Sequence, residues 1–233
     1  MKRKICFITG TRAEYGLLRQ LILLASNEKL INSQLLVTGT HLSRSHGLTF
    51  KEIEADGLVI SCKINLKIKG DTSQEVIASM SEGLKGFSKA FTALKPDLVV
   101  LLGDRYEIFS AASAAMILNI PIAHIHGGEI TEGAYDEAMR HSITKMSHLH
   151  FVAARAYKKR VHQLGENLQN IFLVGGLGVD AIHSVRLMSK VALEKSLNFK
   201  FGKRNLLITM HPETLESNKI SKDHINELLA ALD

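Results

Sequence analysis

The feature that most constrains this chain is a regular alternation of short apolar runs with longer stretches of helical periodicity. The apolar runs have the length of buried strands. Eight of them predict strands, at residues 5–9, 34–38, 58–64, 98–102, 122–125, 149–152, 171–174 and 206–210. Helices are predicted between them at residues 15–26, 73–94, 105–118, 136–146 and 154–164. Strands alternating with helices predict an α/β fold, a Rossmann-like, doubly wound parallel sheet with helices on both faces.

The same pattern suggests where a first domain ends. Residues 165–170 are polar and precede a new strand that ends at Gly175 and Gly176. We therefore predict an N-terminal domain over residues 1–170, and we expect residues 171–233 to begin a second one.

Composition excludes several classes of protein. Cys6 and Cys62 have no CxxC spacing, so neither a disulfide framework nor a zinc knuckle is expected, and a cytoplasmic location fits. Since no segment approaches the roughly 18 apolar residues of a membrane helix, no membrane insertion is expected. The net charge of +6 is spread along the chain, as on a solvated basic surface. We expect no nucleic-acid partner, although nucleotide diphosphates remain attractive ligands.

Glycine recurs with a charged or imidazole side chain after four of the predicted strands. The four segments lie at residues 9–14, 38–41, 103–105 and 126–129. Ligands of open α/β sheets bind outside the carboxyl ends of the strands, where loop amides and helix amino termini converge. Each segment alone is equally typical of a turn or a helix cap. Because all four segments follow predicted strands, together they favour a single ligand-binding crevice.

Common cofactor motifs are missing from these segments. The first loop does not make GxGxxG and no GxxxxGK[ST] occurs, so NAD and ATP are disfavoured and no cofactor is expected. The pairs His124/His126 and His148/His150 each point to one face of a strand. A metal would need a third, well-placed ligand, whereas such imidazoles more often bond acids or line a polar pocket. No metal is expected.

Carboxylates are the sharpest group among the strand-end residues. Asp104, Glu129 and Asp136 come from different loops around the predicted crevice. Glu14 and Asp136 also have a structural alternative as first-turn acids favoured by the helix dipole. Asp104 and Glu129 would repel each other unless a ligand or a proton separated them. His211 follows the last predicted strand, as a substrate contact or a loop cap.

Six stretches, in this order, resemble the hydrolysing UDP-N-acetylglucosamine 2-epimerases. They are TGTRAEYG at 9–16, VTGTHL at 37–42, LLGDRYE at 101–107, HIHGGEITEGAYDEAMRHSITKMSHLHF at 124–151, VGGLGVD at 174–180 and TMHPET at 209–214. The likeness is to the bacterial branch that serves sialic and legionaminic acid biosynthesis. It implies a GT-B architecture of two Rossmann-like domains. Since family members are longer, the resemblance implies that the second domain is truncated here.

The resemblance also implies a reaction. UDP-N-acetylglucosamine, or a UDP-2,4-diacetamido-2,4,6-trideoxy sugar, would be converted to UDP and the free 2-epimer by elimination through a glycal and addition of water. The matching residues are Asp104, Glu129 and Asp136 for acid–base work, Arg12 and His211 for the diphosphate, and Glu14, His41, Arg140 and His141 for substrate contact or support. A GT-B glycosyltransferase and an inactive sugar-nucleotide-binding fragment stay open as alternatives, as does a homodimer.

Overall fold

A computed structural model describes residues 2–210 and 218–232 of the chain. The strands in these ranges are β1 (Arg3–Thr9), β2 (Ile31–Val37), β3 (Cys62–Lys63), β4 (Leu98–Leu102), β5 (Ile122–Ile125), β6 (Leu149–Val152) and β7 (Ile171–Leu173). The α-helices are α1 (Arg12–Asn27), α2 (Phe50–Ala55), α3 (Ser73–Leu94), α4 (Tyr106–Ile117), α5 (Asp136–Met146), α6 (Arg155–Gln163), α7 (Leu177–Ser184), α8 (Lys190–Leu197) and α9 (Asn218–Leu232).

The strands form a seven-stranded sheet in the order β3-β2-β1-β4-β5-β6-β7. Each neighbouring pair is parallel. The order reverses between β1 and β4, where Ile5 lies opposite Leu98 and Phe7 opposite Val100. The predicted doubly wound α/β fold is therefore confirmed.

Two long helices begin where the sequence provides a capping box. Thr11 accepts a hydrogen bond from the Glu14 N–H, and the Glu14 side chain bonds back to the Thr11 N–H. Thr72 and Glu75 repeat the arrangement at the start of α3. Each box satisfies backbone donors that a helix otherwise leaves open at its amino end. The cap of α1 also fixes the loop that follows β1.

The core has two layers, one on each face of the sheet. Phe87 and Phe91 of α3 and Ile108 of α4 pack on one face, while Leu18 and Ile22 of α1 pack on the other. Alternate residues of β1 contribute to the two layers, because successive strand side chains point to opposite faces. Burial on both faces explains why the strands read as continuous apolar runs.

Two strand predictions need correction. The run at 58–64 forms only the two-residue edge strand Cys62–Lys63, and the run at 206–210 forms no strand. Leu206 is 80% exposed and Leu207 97% exposed. An apolar run becomes a strand only where a neighbouring strand offers hydrogen-bond partners, and none pairs with residues 206–210 in the described part of the chain.

The seven-stranded sheet continues past the predicted domain boundary. β7 begins at Ile171 and pairs with β6, where Phe151 lies opposite Phe172. The division at residue 170, and the second domain after it, remain predictions. Among the helices of residues 2–210 and 218–232, none is both long and apolar enough to cross a membrane.

Gly39 and Gly16 provide a matched test of the loop after β2. Gly39 has φ +60, and a Cβ there would lie 2.5 Å from the Gly10 carbonyl oxygen, whereas a Cβ on Gly16 would meet no atom within 4 Å. We expect Gly39→Ala to lower the free energy of unfolding by about 2–4 kcal/mol. Gly16→Ala, inside α1, should raise it by about 0.5–1 kcal/mol. Urea denaturation measures both, and equal effects would contradict the described loop contact.

Candidate active site

Five of the predicted site residues lie at the carboxyl edge of the sheet, beside the reversal of strand order. Glu14 lies in the first turn of α1, Asp104 follows β4, Glu129 follows β5, and Asp136 and Arg140 belong to α5. Parallel strands end at this edge, and α1 and α4 leave it on opposite faces of the sheet. An open crevice at such a point is the usual ligand site of a doubly wound fold.

Arg140 forms an ion pair with the candidate acid Asp104 and lies near a second candidate acid, Asp136. Its Nη2 donates to Asp104 Oδ2 and, at 2.8 Å, to the Thr131 hydroxyl. The side chain is buried, and its Nε and Nη1 have no hydrogen-bond partner in the described structure. Burial raises the pKa of Asp136, and the nearby charge of Asp104 raises it further. The structure thus places the ion-paired Asp104 near Asp136, whose carboxyl group retains its proton more readily than an exposed aspartate does.

Glu129 lies on the loop that follows β5, next to a strained histidine. His126 has φ 66, a left-handed conformation that is uncommon for residues other than glycine. Its Nδ1 is 3.3 Å from Glu129 Oε1, and its buried Nε2 has no partner among the described residues. Strain of this kind is concentrated at functional sites. That Glu129 reaches the same sugar ring as Asp104 and Asp136 stays a prediction.

Arg12 and Glu14 occupy the same helix start but very different surroundings. Arg12 is exposed, and its Nε donates to Glu52 Oε2 at 3.1 Å. Glu14 is buried, and its Oε2 accepts from the N–H groups of Gly10 at 2.7 Å and Thr11 at 3.2 Å. Burial, followed by the nearby Glu107, raises the pKa of Glu14 to about 8. The cap predicted as the structural alternative for Glu14 is therefore real.

The three remaining histidine candidates differ in placement. His41 is fully buried, with Nε2 3.0 Å from the Thr9 hydroxyl and Nδ1 2.7 Å from the Thr49 hydroxyl, which favours support over substrate contact. His141 Nε2 lies 3.6 Å from Glu137 Oε1, and the ring borders a cavity between α4 and α5. His211 lies outside the described residues.

Arg105 and Glu107 are absent from the predicted site residues, yet the structure places them against Glu14. Arg105 Nε donates to Glu107 Oε1 at 2.7 Å, and the Glu107 side chain is fully buried. Both residues lie within the quoted stretch LLGDRYE. The sequence places Glu107 in the first turn of a predicted helix, where acidic residues are common. At such a position, sequence alone does not distinguish a buried acid from an exposed acid that caps the helix.

The strand histidines bond protein groups. His124 Nε2 donates to the Gly103 carbonyl oxygen at 2.8 Å, and Nδ1 lies 3.1 Å from the Thr144 hydroxyl. His150 Nε2 lies 3.2 Å from Glu166 Oε2. Within residues 2–210 and 218–232, no cluster of three or more His, Cys, Asp or Glu side chains could hold a metal ion. The expectation of a metal-free site remains a prediction.

Comparison with known proteins decides the family. The sequence model described as UDP-N-acetylglucosamine 2-epimerase matches residues 25–233. A GDP/UDP-N,N'-diacetylbacillosamine 2-epimerase (hydrolyzing) of Campylobacter jejuni is 47% identical over 232 residues, which cover 100% of this chain and 60% of that protein. The chain belongs to the UDP-N-acetylglucosamine 2-epimerase family. The resemblance stated from the sequence motifs is confirmed.

Other members of this 2-epimerase family agree in sequence and fold. Polysialic acid biosynthesis protein P7 of Escherichia coli is 43% identical, over 99% of this chain and 58% of that protein. A crystal structure of a UDP-N-acetylglucosamine 2-epimerase superposes with a TM-score of 0.72 at 24% identity, covering 84% of this chain and 55% of that one. This likeness confirms a Rossmann-like domain of the GT-B type. The chain spans about 60% of the length of its curated relatives.

The buried histidines of this epimerase-family chain predict acid lability. Burial lowers the pKa of His124 to about 3 and that of His41 to about 4. Because these pKa values lie below that of an unfolded histidine, about 6.5, the folded state binds fewer protons. Their stabilising contribution is complete above about pH 6.5 and is lost as the pH falls through the folded values.

We therefore expect His124→Gln to make the free energy of unfolding less dependent on pH, by roughly 1 kcal/mol per unit between about pH 4 and 6. Urea denaturation across this range measures the slope. His46→Gln, at an exposed turn, is the control and should keep the wild-type slope. An unchanged slope in His124→Gln would show that His124 already accepts a proton in the folded state.

Proposed function

We propose that this chain supplies catalytic and binding groups of a hydrolysing 2-epimerase that acts on a UDP-linked acetamido sugar. The observation that most directly supports this proposal is the cluster of Asp104, Arg140 and Asp136 at the carboxyl edge of the sheet, in a chain of the epimerase family. Several carboxyl groups with different proton affinities are what a reaction with two proton transfers requires.

The chemistry explains that requirement. The C2 proton of the sugar has no adjacent carbonyl and is not acidic, so direct removal and return of the proton is implausible. As the C1–O bond to UDP breaks, with an oxocarbenium-like transition state, a positioned base can take the C2 proton, and a glycal forms. Water then adds at C1 while a proton returns to the opposite face of C2. UDP and the free 2-epimer are the products.

The local contacts support separate roles for the acids. Asp104 is held by Arg140, whereas the raised pKa of Asp136 favours a group that carries a proton and can donate it. Glu129, beside His126, is the third proposed acid–base group. Which acid takes the C2 proton stays open. Arg12 and His211 are proposed for the diphosphate, where donors stabilise the departing negative charge.

Similarity among the relatives favours the diacetamido sugar as substrate. The two relatives named as N,N'-diacetylbacillosamine 2-epimerases are 47% and 38% identical to this chain. Relatives named as UDP-N-acetylglucosamine 2-epimerases are 32% identical in Neisseria meningitidis serogroup B and 26% identical in Escherichia coli K12. We propose UDP-2,4-diacetamido-2,4,6-trideoxy sugar as the substrate, with UDP-N-acetylglucosamine as the alternative.

The proposed product is a precursor for nonulosonic acids of the sialic or legionaminic type. A relative named for polysialic acid biosynthesis, at 43% identity, supports this assignment. The described Cys6 and Cys62 are free thiols, as expected in a reducing compartment, and they support the proposed cytoplasmic location. A homodimer stays an open proposal.

A glycosyltransferase would use the same crevice but would pass the sugar to an acceptor. The two functions separate in one experiment, which incubates the full-length protein with each UDP-sugar in deuterated water without acceptor. We expect UDP release and a free 2-epimer that carries deuterium at C2. Strict acceptor dependence, or a product without deuterium at C2, would overturn the epimerase proposal.

Substitution of single acids tests the site. We expect Asp104→Asn, Glu129→Gln and Asp136→Asn each to reduce kcat by about 100-fold or more, because a positioned acid or base contributes that much. Asp97→Asn is the matched control, since Asp97 lies before β4, at the opposite edge of the sheet, and bonds the Lys4 N–H. Its activity should remain within about twofold of the wild type, as for most surface changes. Full activity in Asp136→Asn would remove that residue from the mechanism.

A further inference from the structure

A buried cluster of charge underlies the loop after β1. Arg105 Nε lies 2.7 Å from Glu107 Oε1 and 3.8 Å from Glu14 Oε1. The two carboxyl groups come from helices on opposite faces of the sheet, α1 and α4, and meet at one guanidinium. The Glu107 side chain is 0% exposed and that of Glu14 is 11% exposed, whereas Arg105 is 39% exposed. Arg105 thus connects the buried acids to the open edge of the site.

The loop after β1 rests directly on this cluster. A Cβ on Gly10 would lie 2.6 Å from Glu107 Cγ, so only glycine allows the loop to approach so closely. The N–H groups of Gly10 and Thr11 both donate to Glu14 Oε2. A change in the protonation of either carboxyl group therefore acts directly on the backbone that faces the crevice.

One oxygen of each acid lacks a hydrogen-bond partner. Glu14 Oε1 and Glu107 Oε2 are buried and accept no hydrogen bond in the described structure. Two buried carboxylates beside a single guanidinium would leave one negative charge uncompensated, which is costly in a site of low polarity. One proton added to the two acids makes the cluster neutral. It also turns one carboxylate oxygen of the pair into a hydrogen-bond donor.

The other charged and titratable groups nearby are few. Asp136 of α5 interacts with Arg105, and the phenols of Tyr106 and Tyr135 interact with both Arg105 and Glu107. Burial raises the pKa of Tyr106 to about 12, so this phenol stays neutral over the working range. Arg105 is then the positive group closest to the two acids among those described.

We propose that Glu14 and Glu107 hold one proton between them and act as a positioning pair for Arg105 and the loop after β1. While the pair holds its proton, a single negative charge balances Arg105, and the guanidinium can still attract the anionic diphosphate of the substrate. Without it, a second negative charge lies behind the guanidinium and opposes the diphosphate. This inference rests on the proposed function. The pKa of Glu14, raised to about 8 by burial and then by Glu107, supports it.

The test compares KM at two pH values in the full-length protein, with the UDP-sugar that it turns over. Between about pH 7 and about pH 9, we expect KM of the wild type to rise about fivefold or more, because the pair loses its proton. Glu14→Gln should show a rise of less than about twofold. Gln keeps an oxygen for the Gly10 and Thr11 N–H groups and carries N–H donors in place of the proton.

Glu28→Gln is the matched control, because Glu28 caps the other end of α1 and is exposed. It should keep the wild-type rise in KM. The same rise in Glu14→Gln as in the wild type would overturn the positioning pair. Glu107→Gln should flatten the rise as well, since either amide makes the cluster neutral at both pH values.

A second measurement tests the pair without any activity. A group with a raised folded pKa contributes stability that is lost as the pH rises through that value. The Tm of the wild type should therefore fall between about pH 5 and about pH 8, from the unfolded pKa of a carboxyl group to the raised folded pKa, and that of Glu14→Gln should fall less. If the wild type releases no UDP, the proposed function fails while the Tm comparison still decides the pair. Equal Tm losses would overturn the pair alone.

Discussion

The structure depends on the pairing of β1 with β4. Both strands are buried on both faces, and Cys6 lies opposite Val99 at their contact. This pairing reverses the strand order, so the connections that leave β1 and β4 turn to opposite faces of the sheet. The opening between them is where a doubly wound sheet receives a ligand. The same pairing brings α1 and α4 together at their amino ends, where Glu14 and Glu107 meet.

Charge compensation determines how this opening can be lined with acids. Arg140 is buried against Asp104, and Arg105 lies against Glu107. A buried charge without a partner is strongly destabilising, and each of these cations compensates negative charge inside the domain. Burial raises the pKa of Glu14 and that of Asp136, and a neighbouring acid raises each further. Acids that pair with a cation and acids with a raised pKa therefore lie in one small region.

Family membership and local geometry support the same chemistry from independent directions. The relatives are identified over the whole chain, whereas the ion pair of Asp104 with Arg140 and the raised pKa of Asp136 come from the structure alone. The proposed proton transfers at C2 use more than one acid, and the raised pKa of Asp136 supports a role for that residue as a proton carrier. The chain spans about 60% of its curated relatives, so the activity of the whole protein remains a proposal.

The sequence by itself determined the alternation of strands and helices, the bounds of β4, β5 and β6, and the acids at the strand ends, because periodicity and turn residues act locally. Only the tertiary structure decided that residues 206–210 form no strand, that His41 is enclosed by two threonine hydroxyls, and that Glu107 is buried. Hydrogen-bond partners, burial and proton affinity depend on groups distant in the chain, which the fold brings together.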